Sequence, residues 1–361
     1  MPEPAGPALV GPVEIVGTGL LGTSVGLACR RAGLEVVLSD VASGHIRTAS
    51  GLGAGRRRRK DDRPQLVVVA VPPAVLGDVI GEALDRTAAY DAVVTDVGSV
   101  KSAPLEGLAA RDGVRRYVGG HPMAGSERSG PLAASDSLFD GRPWAVTPHE
   151  RSDPDAVVLV EELVRLCGAI PVRLTPEDHD RAVARTSHVP HLMSALVAAR
   201  LAAGPPGHLA LSGQGVRDVT RVAAGDPALY GQIVAGNAAA VTQLLAEVRS
   251  QLDVLIDAVA AGDAAAVERL LAEGVSGTRA IPGKHGGPVA PTASVFVSVP
   301  DHPGELARLF ADAGESGVNI EDVRIDHDPG RPFGLAELVV AAGSDERLHD
   351  ALESRGWVTH R

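Results

Sequence analysis

Apolar positions in the first hundred residues come in short, nearly unbroken runs: VEIVGT (13–18), EVVLSD (35–40), QLVVVAV (65–71) and AVVTDV (92–97). Strands that alternate apolar and polar residues cover one face only. These runs, rich in β-branched residues, predict parallel strands buried on both faces. Between them, 20–32 and 73–85 have helical length and helical spacing of apolar residues. The β-α-β-α rhythm predicts an α/β, doubly wound sheet. RRYVG (115–119) reads as its fifth strand, and WAVTP (144–148) and IPVRLTP (170–176) as outer strands.

Past residue 176 the strands stop. QLLAEVRSQLDVLIDAVAAGD places Leu244, Leu245, Val248, Leu252, Leu255, Ile256 and Val259 at steps of three and four, an apolar stripe along one long helix. Such a stripe packs inside its own chain or against a second subunit, and the pattern does not separate the two. RAIPGKHGGPVAP (279–291) is a Gly/Pro-rich linker. Beyond it, ASVFVSV, a helix from Gly304 to Ser316, VNIEDVRI, GLAELVVAA, a helix over 345–354 and WVTH follow in the order β-α-β-β-α-β, a ferredoxin-like α+β motif. The expected division is 1–175, an all-α region over 176–280, a linker over 281–291 and a small domain over 292–361.

Composition narrows the function more than the fold. A formal net charge of −11 over 361 residues argues against nucleic acid and anionic membrane as partners. An anionic small molecule would need locally placed Arg, His or helix N-termini. Cys29 and Cys167 are too few and too far apart in sequence for a disulfide framework or a cysteine metal site. The first residues lack a basic signal-like region and no apolar run reaches spanning length, so a cytoplasmic enzyme is expected.

Gly17, Gly19 and Gly22 form G-x-G-x-x-G between the first strand and an apolar helix. In that setting Gly17 permits the tight turn, Gly19 the approach of a pyrophosphate, and Gly22 close helix–strand packing; the phosphates meet the helix N-terminus. Asp40 closes the second strand, 23 residues after Gly17, where a carboxylate bonds a ribose 2′-hydroxyl and repels a 2′-phosphate. This is a Rossmann-like pattern that predicts NAD. Leu20 and Leu21 in the first helical turn, Val71 and Pro72 after the third strand, and Ser99 complete the cofactor-side set. RRRRK (56–60) reads as a solvated charge run.

Two polar stretches fall where this sheet ends. TDVGSVK (95–101) closes the fourth strand, and GGHPMAGSERSG (119–130) holds one imidazole among four glycines. Ligands of open α/β sheets sit at the carboxyl ends of the strands, which brings Ser99 and a loop-borne His121 toward the cofactor as candidate catalytic residues. RDVTRVAAGDP offers Arg217 and Arg221 as carboxylate grips, with Asp218 one helical turn before Arg221 as its holder. SHVPH supplies His188 and His191; a two-His metal site competes there, but no metalloprotease-like carboxylate pattern accompanies it, and no metal is expected.

GTGLLG, DVGSVK, GGHPMAGSERSG, TSHVPH and RDVTRVAAGDP, in that order over nearly the whole chain, resemble the prephenate dehydrogenases (TyrA proteins) of tyrosine biosynthesis. VPDHPGELARLF with GVNIEDVRI resembles an ACT domain. The resemblance implies NAD-dependent oxidative decarboxylation of prephenate to 4-hydroxyphenylpyruvate by a homodimer. His121 would receive the hydroxyl proton, Ser99 orient the hydroxyl, and Arg221 hold a substrate carboxylate. His188, His191, Ser126, Glu127 and Asp218 would surround the substrate. An amino acid such as L-tyrosine would bind near Asp301, Pro303, Gly304, Asn319 and Ile320. Tyr230 stands where the family often has Trp, and Pro64–Gln65 replaces a commonly acidic position. Arogenate dehydrogenase is the nearest alternative. A 3-hydroxyacid dehydrogenase using Lys101 lacks a need for GGHPMAGSE, and a non-catalytic NAD or amino-acid sensor could dispense with His121, Ser99 and Arg221.

Overall fold

The computed structural model describes residues 8–125, 128–282, 291–326 and 332–360. They fall into two compact units, one ending at Ser250 and the other beginning at Gln251.

The first unit is built on five parallel strands in the order β3-β2-β1-β4-β5: β1 (Val13–Val16), β2 (Val36–Ser39), β3 (Arg56–Arg57), β4 (Leu66–Val69) and β5 (Val93–Asp96). Their unbroken apolar character follows from burial on two sides. Leu66 and Val68 of β4 join Val13, Ile15 and Leu38 against Val25, Ala28 and Cys29 of α1 (Leu20–Arg31). Val67 and Val69, one residue out of phase, face Leu76, Ile80 and Leu84 of α3 (Pro73–Arg86). Each such side chain, withdrawn from water, contributes about 1.5–3 kcal/mol. A short α2 (Ser43–Gly51) links β2 to β3. Cys29 and Cys167, remote in sequence, come together in this core as free thiols; hydrogen bonding to Cys29 and burial push the Cys167 thiol up.

Glu14 interrupts the apolar β1 and is fully buried. It accepts from Ser39 Oγ at 2.8 Å and Arg86 Nη1 at 2.8 Å, with Arg58 Nε at 3.2 Å. The 56–60 run is therefore only partly a solvated one. Arg56 also pairs with Glu35 and Asp62, holding the Asp62 carboxyl at about 2, while Arg57, Arg59 and Lys60 are exposed.

Three further strands form a separate sheet, β6-β7-β8, instead of extending the first: β6 (Gly119–Pro122), β7 (Pro143–Thr147) and β8 (Ile170–Arg173). β6 is antiparallel to β7, and β8 parallel to it. The fifth strand expected over 115–119 does not form. Arg115 and Arg116 end a 3-10 turn, and only Tyr117 bridges to Val94. The cause is Arg116, whose buried guanidinium turns inward and donates to Ala92 O, Leu84 O and Thr87 Oγ1. α4 (Ser102–Leu108) follows β5, and α5 (Pro154–Leu166) covers the core beside α1.

α6 (Pro176–Val183), N-capped by Thr175, runs through a π turn (Ala184–His188) into α7 (Val189–Ala202). α8 (Pro206–Leu209), α9 (Gln214–Thr220), a 3-10 turn (Arg221–Ala224), α10 (Pro227–Gly236) and α11 (Ala238–Ala261) follow. Only the first part of the long apolar stripe is buried within the chain. Leu244, Leu245 and Val248 pack with Ala184, Val189 and Val241. Leu252, Ile256 and Val259, beyond residue 250, are 48–64% exposed.

The second unit contains α12 (Ala264–Arg279) and a four-stranded antiparallel sheet ordered β10-β11-β9-β12. β9 (Thr292–Pro300), α13 (Glu305–Glu315), β10 (Ile320–Asp326), β11 (Phe333–Ala341), α14 (Asp345–Ser354) and β12 (Val358–His360) follow the expected β-α-β-β-α-β order. Val295, Val297 and Val299 of β9 alternate into a core with Leu309, Leu338, Leu348, Leu352 and Trp357. No helix among the described residues is long and apolar enough to cross a membrane.

Candidate active site

The turn after β1 has the geometry of a phosphate cradle. Gly17 has φ +96°, and a Cβ there would lie 2.3 Å from Ala70 O. A Cβ on Gly22 would lie 1.9 Å from Gly17 O, so helix and strand approach closely enough to demand glycine. A Cβ on Gly19 would meet nothing within 4 Å, and α1 opens with no side-chain cap and no acid in its first turn. That combination leaves backbone N–H groups and open space for an anion, and it fits a dinucleotide pyrophosphate. Leu20, Leu21 and Val71 are half-buried around this turn, and Pro72 is exposed.

Asp40 sits beside the same turn. Its Oδ2 accepts from Thr18 N at 2.6 Å and Thr18 Oγ1 at 2.9 Å, and its Oδ1 from Ala42 N at 2.7 Å. Burial pushes the carboxyl up, but these bonds outweigh it and hold Asp40 below its ordinary range. An ionised Asp40 fits ribose hydroxyls and disfavours a 2′-phosphate.

At the carboxyl end of β5, a buried ion pair organises the next strand. Lys101 pairs with Asp96, both side chains at most 1% exposed, and donates to Gly120 O at 2.8 Å. Asp96 also accepts from Gly98 N at 2.8 Å, Tyr117 OH at 2.9 Å and Gly120 N at 3.2 Å. Burial pulls the Lys101 ammonium down while Asp96 opposes it. Lys101 is a pillar under β6 with no donor turned to solvent. A Cβ on Gly120 would lie 2.6 Å from Asp96 O, and one on Gly119 2.3 Å from Thr147 Oγ1. The glycines of GGHP therefore make room for this packing, and His121 stands on a strand, not on the glycine loop expected.

His121 Nδ1 lies 2.8 Å from His179 Nε2, and His179 Nδ1 lies 2.9 Å from Asp180 Oδ1. Among the described residues no hydrogen bond engages His121 Nε2. Burial, then the neighbouring His179, Lys101 and His188, push the His121 imidazole well below its ordinary value. It is neutral at neutral pH. Ser99 is half-buried in the turn between β5 and α4, and Ser126 and Glu127 lie outside the described residues.

The π turn brings His188 inward. It is buried, with Nδ1 3.2 Å from Asn237 Nδ2, which itself donates to Asp180 O at 2.7 Å. Burial takes His188 down to about 4. His191 stacks on Tyr230 with ring centroids 3.4 Å apart. Arg221 is exposed at the start of its 3-10 turn, and among the described residues it has no ion pair. Asp218 does not hold it: the carboxylate accepts from Gln214 Nε2 at 3.0 Å, its neighbour one turn earlier on α9. Asp96, His179, Asp180 and Asn237 were not singled out by sequence reasoning. For Asp96 a signal existed, an acid closing an otherwise apolar strand; for the others none did.

Residues 25–173 match the family model described as prephenate dehydrogenase, nucleotide-binding domain, and 175–273 the prephenate dehydrogenase dimerization domain. A probable prephenate dehydrogenase, NovF, of Streptomyces niveus is 39% identical over 95% of this chain and 98% of its own. The chain belongs to the prephenate dehydrogenase family. Among solved structures, the A. aeolicus prephenate dehydrogenase in complex with hydroxyphenyl propionate and NAD+ is 28% identical, with a TM-score of 0.66 over 74% of this chain and 96% of that one. Synechocystis arogenate dehydrogenase is 27% identical, with a TM-score of 0.62 over 74% and 98%. In this family member the nucleotide-binding match covers β2–β8 and the dimerization match α6–α11 with much of α12.

In the second unit Gly304 has φ +96° at the N-terminus of α13, and Asp301 and Pro303 are exposed beside it. Asn319 donates to Glu321 Oε1 at 2.7 Å, and Ile320 packs against the core.

Proposed function

We propose that the chain is an NAD-dependent prephenate dehydrogenase, converting prephenate to 4-hydroxyphenylpyruvate by oxidative decarboxylation. The observation that carries this is His121: a neutral imidazole on a strand pinned from behind, its Nδ1 engaged and its Nε2 without a hydrogen bond among the described residues. Gly17, Gly19, Gly22 and Asp40 would hold the dinucleotide, with Leu20, Leu21, Val71, Pro72 and Ser99 around it. Bound NAD+ supplies the hydride acceptor. His121 Nε2 takes the ring-hydroxyl proton as hydride leaves the carbon that bears the hydroxyl, and Ser99 orients that hydroxyl. The electron pair of the bond between the para carbon and its carboxylate flows toward the ketone oxygen, CO2 departs, the ring becomes aromatic, and the phenolate oxygen takes the proton back from His121. Arg221, exposed and free of an ion pair among the described residues, grips a substrate carboxylate through charge-assisted bonds. His188, His191, Ser126, Glu127 and Asp218 complete the proposed substrate surroundings, His191 with its ring fixed by Tyr230.

Two further readings accompany it. The exposed Leu252, Ile256 and Val259 of α11 with Leu271 and Val275 of α12 supply an apolar surface for a homodimer. The β-α-β-β-α-β unit serves as an ACT-like sensor of an amino acid such as L-tyrosine at Asp301, Pro303, Gly304, Asn319 and Ile320. Arogenate is the alternative substrate, favoured by the similarity to the Synechocystis enzyme. NADH formation with prephenate and with arogenate, measured in parallel, tests the reading. Turnover of arogenate alone moves the substrate, and turnover of neither overturns the function.

A further inference from the structure

We infer that His179 and Asp180 set the tautomer of His121, keeping its proton on Nδ1 and its Nε2 lone pair bare for the substrate hydroxyl. The inference rests on the reading of His121 as proton acceptor, and it concerns residues that neither touch the cofactor turn nor belong to the family-resembling motifs.

The argument begins at α4. A helix N-terminus leaves N–H groups without intrahelical partners. Here two of them, Lys101 N and Ser102 N, donate at 2.9 Å each to the two carboxylate oxygens of Asp180, delivered from α6. Burial pushes Asp180 up, but the bonds from His179, Ser102 and Lys101 outweigh it and keep it ionised. An ionised carboxylate only accepts, so His179 Nδ1, 2.9 Å away, must donate. His179 is 1% exposed, and its one remaining nitrogen lies 2.8 Å from His121 Nδ1. With one proton on each ring, these two contacts are satisfied in one way only. His179 Nε2 is bare, His121 Nδ1 carries the proton, and His121 Nε2 is the free base.

The same chain works during the reaction. The substrate O–H bond breaks, the Nε2–H bond forms, and the positive charge on His121 is stabilised through His179 by the Asp180 anion. Where an acid that orients a catalytic imidazole is replaced by its amide, the wrong tautomer costs about 10⁴-fold with geometry intact. His179 is a positioning residue in this scheme.

The test uses the full-length protein labelled with ¹⁵N-histidine. Long-range ¹H–¹⁵N spectra are expected to show His121 with Nδ1 protonated and Nε2 bare; a proton on Nε2 overturns the inference. His179→Phe is expected to lower kcat by about 10²-fold or more, with KM and NAD+ binding by fluorescence unchanged, on the scale of a lost general base. His179→Gln, whose amide oxygen can accept from Nδ1–H, should recover about tenfold or more of that loss. Retention of wild-type kcat by His179→Phe, or no rescue by Gln, refutes the scheme. If His179→Phe does not fold, the wild-type spectrum still decides. If the wild-type enzyme turns over neither prephenate nor arogenate, the functional reading fails while the spectrum reports the tautomer independently.

Discussion

Lys101→Met isolates the ion pair beneath the catalytic strand. Methionine matches the length of the lysine stem, so little cavity opens, and the change is chiefly electrostatic. It removes the ammonium from Asp96, whose side chain is 0% exposed, and the 2.8 Å bond to Gly120 O. Leaving one member of a buried pair uncompensated costs about 3–5 kcal/mol. Asp96 retains Gly98 N, Tyr117 OH and Gly120 N, which places the ionic loss at the low end, and the orphaned carbonyl adds about 1 kcal/mol. For a unit of this size about 4 kcal/mol lowers the melting temperature by roughly 8–16 °C. Differential scanning calorimetry measures it, and the double variant Asp96→Asn with Lys101→Met should be less destabilised than the sum of the singles. A shift below about 2 °C, under 1 kcal/mol on the same scale, or simple additivity would refute the view that this pair anchors β6.

Three other outcomes are expected. His121→Asn lowers turnover by about 10²–10⁴-fold while NAD+ and substrate still bind, measured by steady-state kinetics beside equilibrium titration. Arg221→Met raises KM for prephenate, losing about 1.5–3 kcal/mol of charge-assisted bonding, or roughly 10- to 150-fold in kcat/KM; an unchanged KM removes Arg221 from the substrate. Stability falls with acid in a defined window: His188 titrates at about 4 when folded and near 6.5 when unfolded. Between those values only the unfolded chain takes up the proton, so stability present above about pH 6.5 is lost as pH falls toward 4. His188→Gln should flatten the melting temperature over that range.

What the sequence determined by itself is whatever depends on neighbours along the chain. Continuous β-branched runs announced strands buried on both faces, because period-two side chains with no polar phase have no solvated side. Glycine spacing announced the cofactor turn, because φ at Gly17 and close approach at Gly22 are local needs. The order β-α-β-β-α-β was likewise legible from periodicity. Tertiary structure decided the rest. That 119–122 is a strand in a second sheet depends on Asp96 and Lys101 gripping Gly120. That 115–116 is a turn depends on where Arg116 finds three acceptors. How far the α11 stripe is buried depends on which helices reach it. The chain from His121 through His179 to Asp180 joins residues far apart in sequence, and no local pattern marks it. Hydrogen bonds are read from distance and angle in space, and spacing along a chain carries that information only within a turn or a strand.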